Sequence, residues 1–346
     1  MKATDAKTAQ AGTTAQTMTA VVQETYGEAD VLHVAQVARP QPADDEVLVR
    51  VEAAGVDRGV WHLMTGLPYP VRLMGYGLRR PSNPIRGREV AGRVEAVGAG
   101  VTAFKPGDEV FGIGEGTFAE YVCAAAGKLA PKPARLSFVQ ASALPVSGLT
   151  ALQAVRDFAQ VKAGQSVLVL GASGGVGSFA VQIAKAYGAH VTGVCSTAKL
   201  DLVRSLGADD VLDYTSADVT DGARTYDVVI DTGGSRPLRH LRRALTPDGT
   251  LVVVGGENGG KWLGGSDRLL RAPAMNLFVS QRLKTVMAKE SGQDLVVLAG
   301  LAESGAITPA VDRTFPLAEA ADALRHLSEG RARGKVVVEV RPRTQP

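Results

Sequence analysis

Two rhythms of hydrophobic residues divide the chain. From Thr19 to about Ala130, apolar residues come in short β-branched runs ("TAVVQETYG", "VLVRVEAAGV", "AGRVEAVGAGV", "DEVFGIG", "TFAEYVCA"), separated by Gly, Pro and Asp turns such as "KPGDEV". This pattern predicts an antiparallel, barrel-like β domain. It is interrupted from Trp61 to Arg88 by a proline-bearing stretch that predicts loop with a short helix. Near Pro145 the period becomes helical ("SGLTALQAVRDFAQV"). Buried-looking strands ("SVLVLG", "HVTGVCS", "DVVIDTGG", "GTLVVVGG") then alternate with helices, as in a parallel sheet covered on both faces. "AKLDLVRSLGADDVLDY" adds a helix and a third strand. The last fifth predicts helices around "LVVLAGLAESG" and "LAEAADALRHLSEG" and a closing strand "GKVVVEV".

Composition changes this picture little. The 346 residues suggest two domains, and 40 glycines suit tight turns and close approach of backbone to a ligand. A net charge of +3 is too small to argue for nucleic acid or an anionic membrane, and neither is expected as a partner. Two cysteines, Cys123 and Cys195, rule out a disulfide framework or a four-cysteine zinc site, and no apolar run is long enough for a transmembrane helix. Residues 1–17 are rich in Ala, Thr and Gln without an apolar segment. They read as a disordered tail rather than a secretory signal, which points to the cytoplasm.

The most informative stretch is "VLVLGASGGVGSFAVQIAKAYGAHVTGVCST", a strand, a glycine turn, a helix and a second strand. Gly174 lets backbone approach a diphosphate, Gly177 allows helix and strand to pack closely, and Ser173, Gly175 and Val176 complete the turn. The pattern reads as a dinucleotide site, the alternative being a tight βα turn of an α/β fold that binds nothing. NAD sites end the second strand with an acid that binds the ribose 2′-hydroxyl. Here that strand ends in Ser196 and Thr197, followed by Lys199, groups that can bond and neutralise a 2′-phosphate, so the cofactor reads as NADP(H). The alternative is that Ser196 caps the next helix and Lys199 is merely solvated.

With "EAAGVDRGVWHLMTG", "GREVAGRVEAVGAGVTAFKPGDEVFG", "SGLTAL", "GASGGVG" and "LGADDVLDY", the chain resembles the medium-chain dehydrogenase/reductase superfamily, and within it the zinc-independent quinone oxidoreductase (zeta-crystallin-like) branch. The resemblance implies an α/β architecture: a GroES-like β-barrel-type catalytic domain (18–145 and 289–346) and a Rossmann doubly wound parallel-sheet domain (146–288) that binds NADP(H). It implies that Ser196, Lys199 and Tyr214 surround the 2′-phosphate, and that Gly255 and Gly256 lie beside the nicotinamide half. Thr150 and Lys335 would also lie near the cofactor. It further implies a homodimer formed through an edge strand of the Rossmann sheet, expected to be "TLVVVGG".

Zinc alcohol dehydrogenases of the superfamily place metal ligands at positions that here hold Asp57, Arg88 and Val146. That set does not make a catalytic zinc site, so no zinc is expected. Asp57 and Arg88 are candidates for an ion pair in its place, or each has another partner. Without a Lewis acid, hydride delivery to a quinone or to the β-carbon of an enone becomes the favoured chemistry. His62 is the candidate proton donor with Tyr69 as second choice, and Trp61, Met64, Trp262 and Phe278 are candidates for an apolar substrate wall. Trp61 and Met64 could equally be core. The arginine run Arg72, Arg79, Arg80, Arg86 and Arg88 reads as a solvated basic loop, or as one closing over the cleft. The expected activity is NADPH-dependent reduction of a small apolar quinone or carbonyl. The alternatives are a biosynthetic enone or enoyl reductase, and an NADPH-binding sensor or scaffold.

Overall fold

The computed structural model describes residues 16–216, 218–256, 260–265 and 267–341. Most of the expected tail lies outside them. Its last residue, Thr17, already pairs with Ala38 in an antiparallel hairpin of β1 (Thr17–Val22) and β2 (His33–Ala38). The patterning singles out no run over β2, whose "HVAQVA" buries none of its residues.

The first large sheet is built on β3 (Glu46–Val56). α1 (Arg58–Thr65) follows it directly, and β4 (Glu89–Val97) pairs with it antiparallel. β5 (Glu109–Ile113), β6 (Tyr121–Ala125) and β7 (Leu129–Pro131) complete the N-terminal strands. Alternate residues of β3 (Val47, Val49, Val51) meet Val90, Phe118 and Met64 in one core. Met64 is therefore core and does not line a substrate wall: in an eight-residue helix, Val60 and Met64 fall on the same face, and that face packs onto the sheet.

The chain crosses to the second sheet through α2 (Phe138–Ser142), capped reciprocally by Ser137 and Gln140, and α3 (Pro145–Gln153). There follow β8 (Ser166–Leu170), α4 (Gly175–Ala186), β9 (His190–Cys195), α5 (Leu200–Ser205) and β10 (Asp210–Asp213). The second half continues with β11 (Tyr226–Asp231), α6 (Leu238–Arg243), β12 (Leu245–Val253), α7 (Gly260–Leu263), α8 (Asp267–Met275) and β13 (Arg282–Thr285). The six strands are parallel in the order β10-β9-β8-β11-β12-β13. Their faces diverge residue by residue: Val167 and Val169 of β8 join Phe179 and Ile183 on one side, while Leu168 and Leu170 join Leu251 and Leu283 on the other.

Two expectations are corrected here. "TLVVVGG" is not an edge: β12 is covered by β13, which is the edge strand on that side. Phe278 does not line the substrate pocket either. It precedes β13 at the amino ends of the parallel strands, opposite the carboxyl ends where such sheets bind ligands, and is 85% exposed.

The chain returns through α9 (Gly292–Glu303), which packs on α3 and β7, to β14 (Val311–Pro316), α10 (Ala320–Ser328) and β15 (Lys335–Glu339). β15 pairs antiparallel with β3 and so extends the first sheet. No helix among the described residues is long and apolar enough to cross a membrane.

Candidate cofactor cleft and active site

A cleft of about 730 Å³ opens at the carboxyl ends of β8, β9 and β11 and runs to the start of β15. Its centre is the N-terminus of α4. Gly174 is the N-cap residue, and the first amides of the helix have no partner within it, because intrahelical bonding begins with the Ser178 N–H on the Gly174 carbonyl. Those amides and the helix dipole suit a diphosphate. Ser173, Gly174, Gly175 and Val176 all line the cleft. Gly177 acts from behind: a Cβ there would lie 2.1 Å from the Gly171 carbonyl oxygen, so only glycine lets α4 sit this close to β8.

Ser196, Lys199 and Tyr214 line one end of the same cleft. Ser196 precedes the 197–199 turn, yet its hydroxyl makes no capping bond to it. Lys199 is not merely solvated. Its ammonium donates to the carbonyls of Gly330 (3.0 Å) and Ala332 (2.7 Å), and burial holds its pKa below the usual lysine range. Asp312 is the carboxylate whose charge pulls on Lys199, and Asp213 at the end of β10 accepts from Thr197 and Thr215. Sequence reading overlooked Arg236, which lines the cleft after β11 and is held at 2.6 Å by Asp218.

The other end has a polar floor. Lys335 and Glu89 form a buried ion pair, 1% and 0% exposed, with the Lys335 ammonium also 3.3 Å from Ser147 Oγ. The second Glu89 oxygen accepts the Val146 N–H at 2.9 Å. Burial pushes the Glu89 carboxyl up to about 7, against the pull of Lys335. Glu89 was missed because its partner lies 246 positions away. On the wall, Asp231 accepts the Gly234 N–H and, at 2.5 Å, the guanidinium of Arg268. Arg268 in turn donates to the Gly255 carbonyl, which fixes the turn that holds Gly255 and Gly256.

Asp57 and Arg88 do not pair with each other. Asp57 caps α1 by accepting the Val60 N–H at 3.1 Å, and Arg88 pairs with Glu290, which also holds Lys128. Burial opposes the Arg88 charge, but the carboxylates of Asp57 and Glu290 outweigh it and raise its pKa. The second Asp57 oxygen, buried beside the cleft, finds no hydrogen-bond partner among the described residues. Among the described residues, no three His, Cys, Asp or Glu come together to hold a metal ion.

His62 and Thr150 lie outside the cleft lining. His62 follows one turn after Arg58 and Gly59, which do line it, and its Nδ1 lies 2.7 Å from the Leu67 carbonyl. A carbonyl only accepts, so Nδ1 carries a proton, and Nε2 can donate only from the imidazolium. Thr150 spends its hydroxyl on the Val146 carbonyl. Trp61 packs against the first core. Tyr69 and Trp262 meet edge to face at 5.1 Å, and the Tyr69 N–H donates to the Lys261 carbonyl, so loops of the two domains are clasped together. The arginine run is only partly a solvated loop. Arg79 and Arg80 are exposed, but Arg86 is buried and donates to backbone carbonyls.

Known proteins agree with this architecture. Residues 43–134 match the family described as alcohol dehydrogenase GroES-like domain, and residues 206–338 the family described as zinc-binding dehydrogenase. The chain is 31% identical to the chloroplast envelope quinone oxidoreductase homolog of Arabidopsis thaliana over 90% of this chain and 95% of that one. It is 33% identical to the 2-methylene-furan-3-one reductase of Solanum lycopersicum over 92% and 78% of the two chains. The structure of the mycobacterial protein Rv1454c complexed with NADPH superposes with a TM-score of 0.77 at 28% identity, covering 93% and 99%.

Proposed function

The chain belongs to the quinone oxidoreductase-like branch of the medium-chain dehydrogenase/reductase superfamily and is an NAD(P)H-dependent oxidoreductase of that type, and we propose that it is a zinc-independent, NADPH-preferring reductase of a quinone or an α,β-unsaturated carbonyl. The observation that carries the reading is the cleft end formed by Ser196, Lys199 and Tyr214, where β9 stops without a carboxylate.

Bound there, NADPH supplies a hydride. The chain's own residues do the rest. The α4 amides hold the diphosphate, and Lys199 and Ser196 bond the 2′-phosphate. The Tyr69–Trp262 contact and the Tyr69 N–H···Lys261 carbonyl bond hold loops of the two domains together. His62, one turn after the cleft-lining Arg58 and Gly59, is the candidate proton donor. Zinc independence is supported by the donor set: an arginine already bound to Glu290 stands where the metal's histidine would be, and Val146 has no ligating atom. The free thiols of Cys123 and Cys195 suit a reducing compartment such as the cytoplasm.

We assign the homodimer to the uncovered edge of β13, flanked by the exposed Leu277, Phe278 and Met287. Phe278→Glu is expected to give monomers by light scattering. An unchanged mass would remove the assignment.

The acceptor is tested by following NADPH oxidation, with chelator present, against an ortho-quinone and a simple enone. Turnover unaffected by chelator is the expected result. A saturated ketone as the faster product selects the enone reading, which the tomato relative favours. NADPH binding without turnover of either acceptor would leave a sensor or scaffold.

A further inference from the structure

Between Arg58 and Arg88 the chain carries six arginines and not one Asp or Glu, within a protein whose net charge is only +3. In the middle of this stretch the irregular helical turn Arg72–Tyr76 buries none of its side chains. Leu73 is 75%, Met74 68% and Leu78 64% exposed, and Arg79 and Arg80 beside them are exposed too. α7, which contacts Tyr69 just before this turn, also buries nothing, and presents Lys261 and Trp262, the latter 74% exposed.

This exposure does not come from loose chain. The Tyr26 hydroxyl reaches the carbonyls of Tyr76 (2.8 Å) and Gly77 (2.6 Å). Arg72 donates to the Gly66 carbonyl and lies over the rings of Tyr26 and Tyr69. The Tyr69 N–H···Lys261 carbonyl bond and the Tyr69–Trp262 contact tie α7 to Tyr69, over whose ring Arg72 of the turn lies. A braced rim that holds leucine, methionine and tryptophan in water among cations costs solubility unless something covers it.

We propose that this rim is a docking surface for an anionic phospholipid bilayer. Leu73, Met74, Leu78 and Trp262 would enter the headgroup–acyl boundary while Arg79, Arg80 and Lys261 meet lipid phosphates. Apolar side chains flanked by cations, with an indole among them and no carboxylate in the whole stretch, is the chemistry of interfacial binding. An acidic protein partner would answer the charge but not the protruding aliphatic tips. The whole-chain charge, too small to argue for a membrane surface, conceals this local concentration. The proposal does not depend on which acceptor the enzyme reduces, because docking is read without substrate.

The test is co-sedimentation of the full chain with vesicles of phosphatidylcholine alone and of phosphatidylcholine with phosphatidylglycerol, at low and high salt. Binding to the anionic vesicles is expected to exceed binding to neutral ones at least about tenfold at low salt and to fall with salt. Arg79→Glu/Arg80→Glu is expected to lose about tenfold or more, at about a fivefold loss per cation, and Leu73→Ser/Met74→Ser to lose binding as well. Both double variants should keep wild-type turnover of a water-soluble acceptor. Equal binding to both vesicle types overturns the proposal. So does loss confined to the arginine variant, since the apolar tips would then not be inserted.

Discussion

Lys335 and Glu89, 246 positions apart in the chain, meet as an ion pair with almost no access to water. Through it β15 is tied to β4, and through the Val146 N–H both are tied to α3, directly beneath the first residue of α4. One buried charge is tolerable here only because the other is present. Lys335→Met is therefore expected to lower stability by about 3–5 kcal/mol. Lys335→Met/Glu89→Gln should recover most of that loss in denaturant unfolding. A double variant no more stable than the single would show that Lys335 works through packing alone.

The pH dependence follows from the same pair. The Glu89 carboxyl, held near 7 by burial despite Lys335, binds a proton in the folded state that the unfolded chain releases near 4.5. The folded state thus holds more protons between these values, so this group's contribution to stability declines as pH rises from about 4.5 to about 7. Measured as Tm, the wild type should lose ground to Glu89→Gln across that window. A wild type that gains ground instead would mean a depressed carboxyl.

Two glycines of the turn differ in what a methyl group would meet. At Gly177 it meets the Gly171 backbone at 2.1 Å, whereas at Gly175 it meets Ser147 Oγ at 3.0 Å and Lys335 Cδ at 3.2 Å, side-chain atoms that have some freedom to shift. Gly177→Ala is expected to cost stability at the upper end of the about 1–3 kcal/mol typical of overpacking, and Gly175→Ala less. The order of the two melting temperatures decides it.

Lys199 joins the Ser196–Tyr214 end of the cleft to the 330–332 turn. On the proposed reading, replacing it by alanine removes a charged bond to the 2′-phosphate, worth about 1.5–3 kcal/mol. Lys199→Ala is therefore expected to raise KM for NADPH tenfold or more. KM for NADH should move little, and an equal rise for both cofactors would leave Lys199 with a purely structural role.

Much of this was legible in the sequence, and the reason is locality. The β8–α4 turn is specified by glycines within a few residues of one another, and the alternation of β3 and the two-sided burial of β8 follow from period alone. What stayed hidden depends on distant partners or weak patterns. Arg88 takes its hydrogen-bonded partner, Glu290, from 202 positions away, while Asp57 caps α1 with one oxygen and acts on Arg88 through its charge alone. β13 is four residues long with two charged side chains, too short and polar to register, and its omission misplaced both the sheet edge and Phe278. Met64 had the right composition for a substrate wall but the wrong face of its helix.

The central claim is that the cleft selects NADPH through the cluster at the end of β9. It is tested most directly by titrating the wild-type protein with NADPH and NADH under identical conditions. The account predicts a Kd for NADPH at least about tenfold below that for NADH, as one added charge-assisted bond requires. Equal affinities, or tighter binding of NADH, would contradict it.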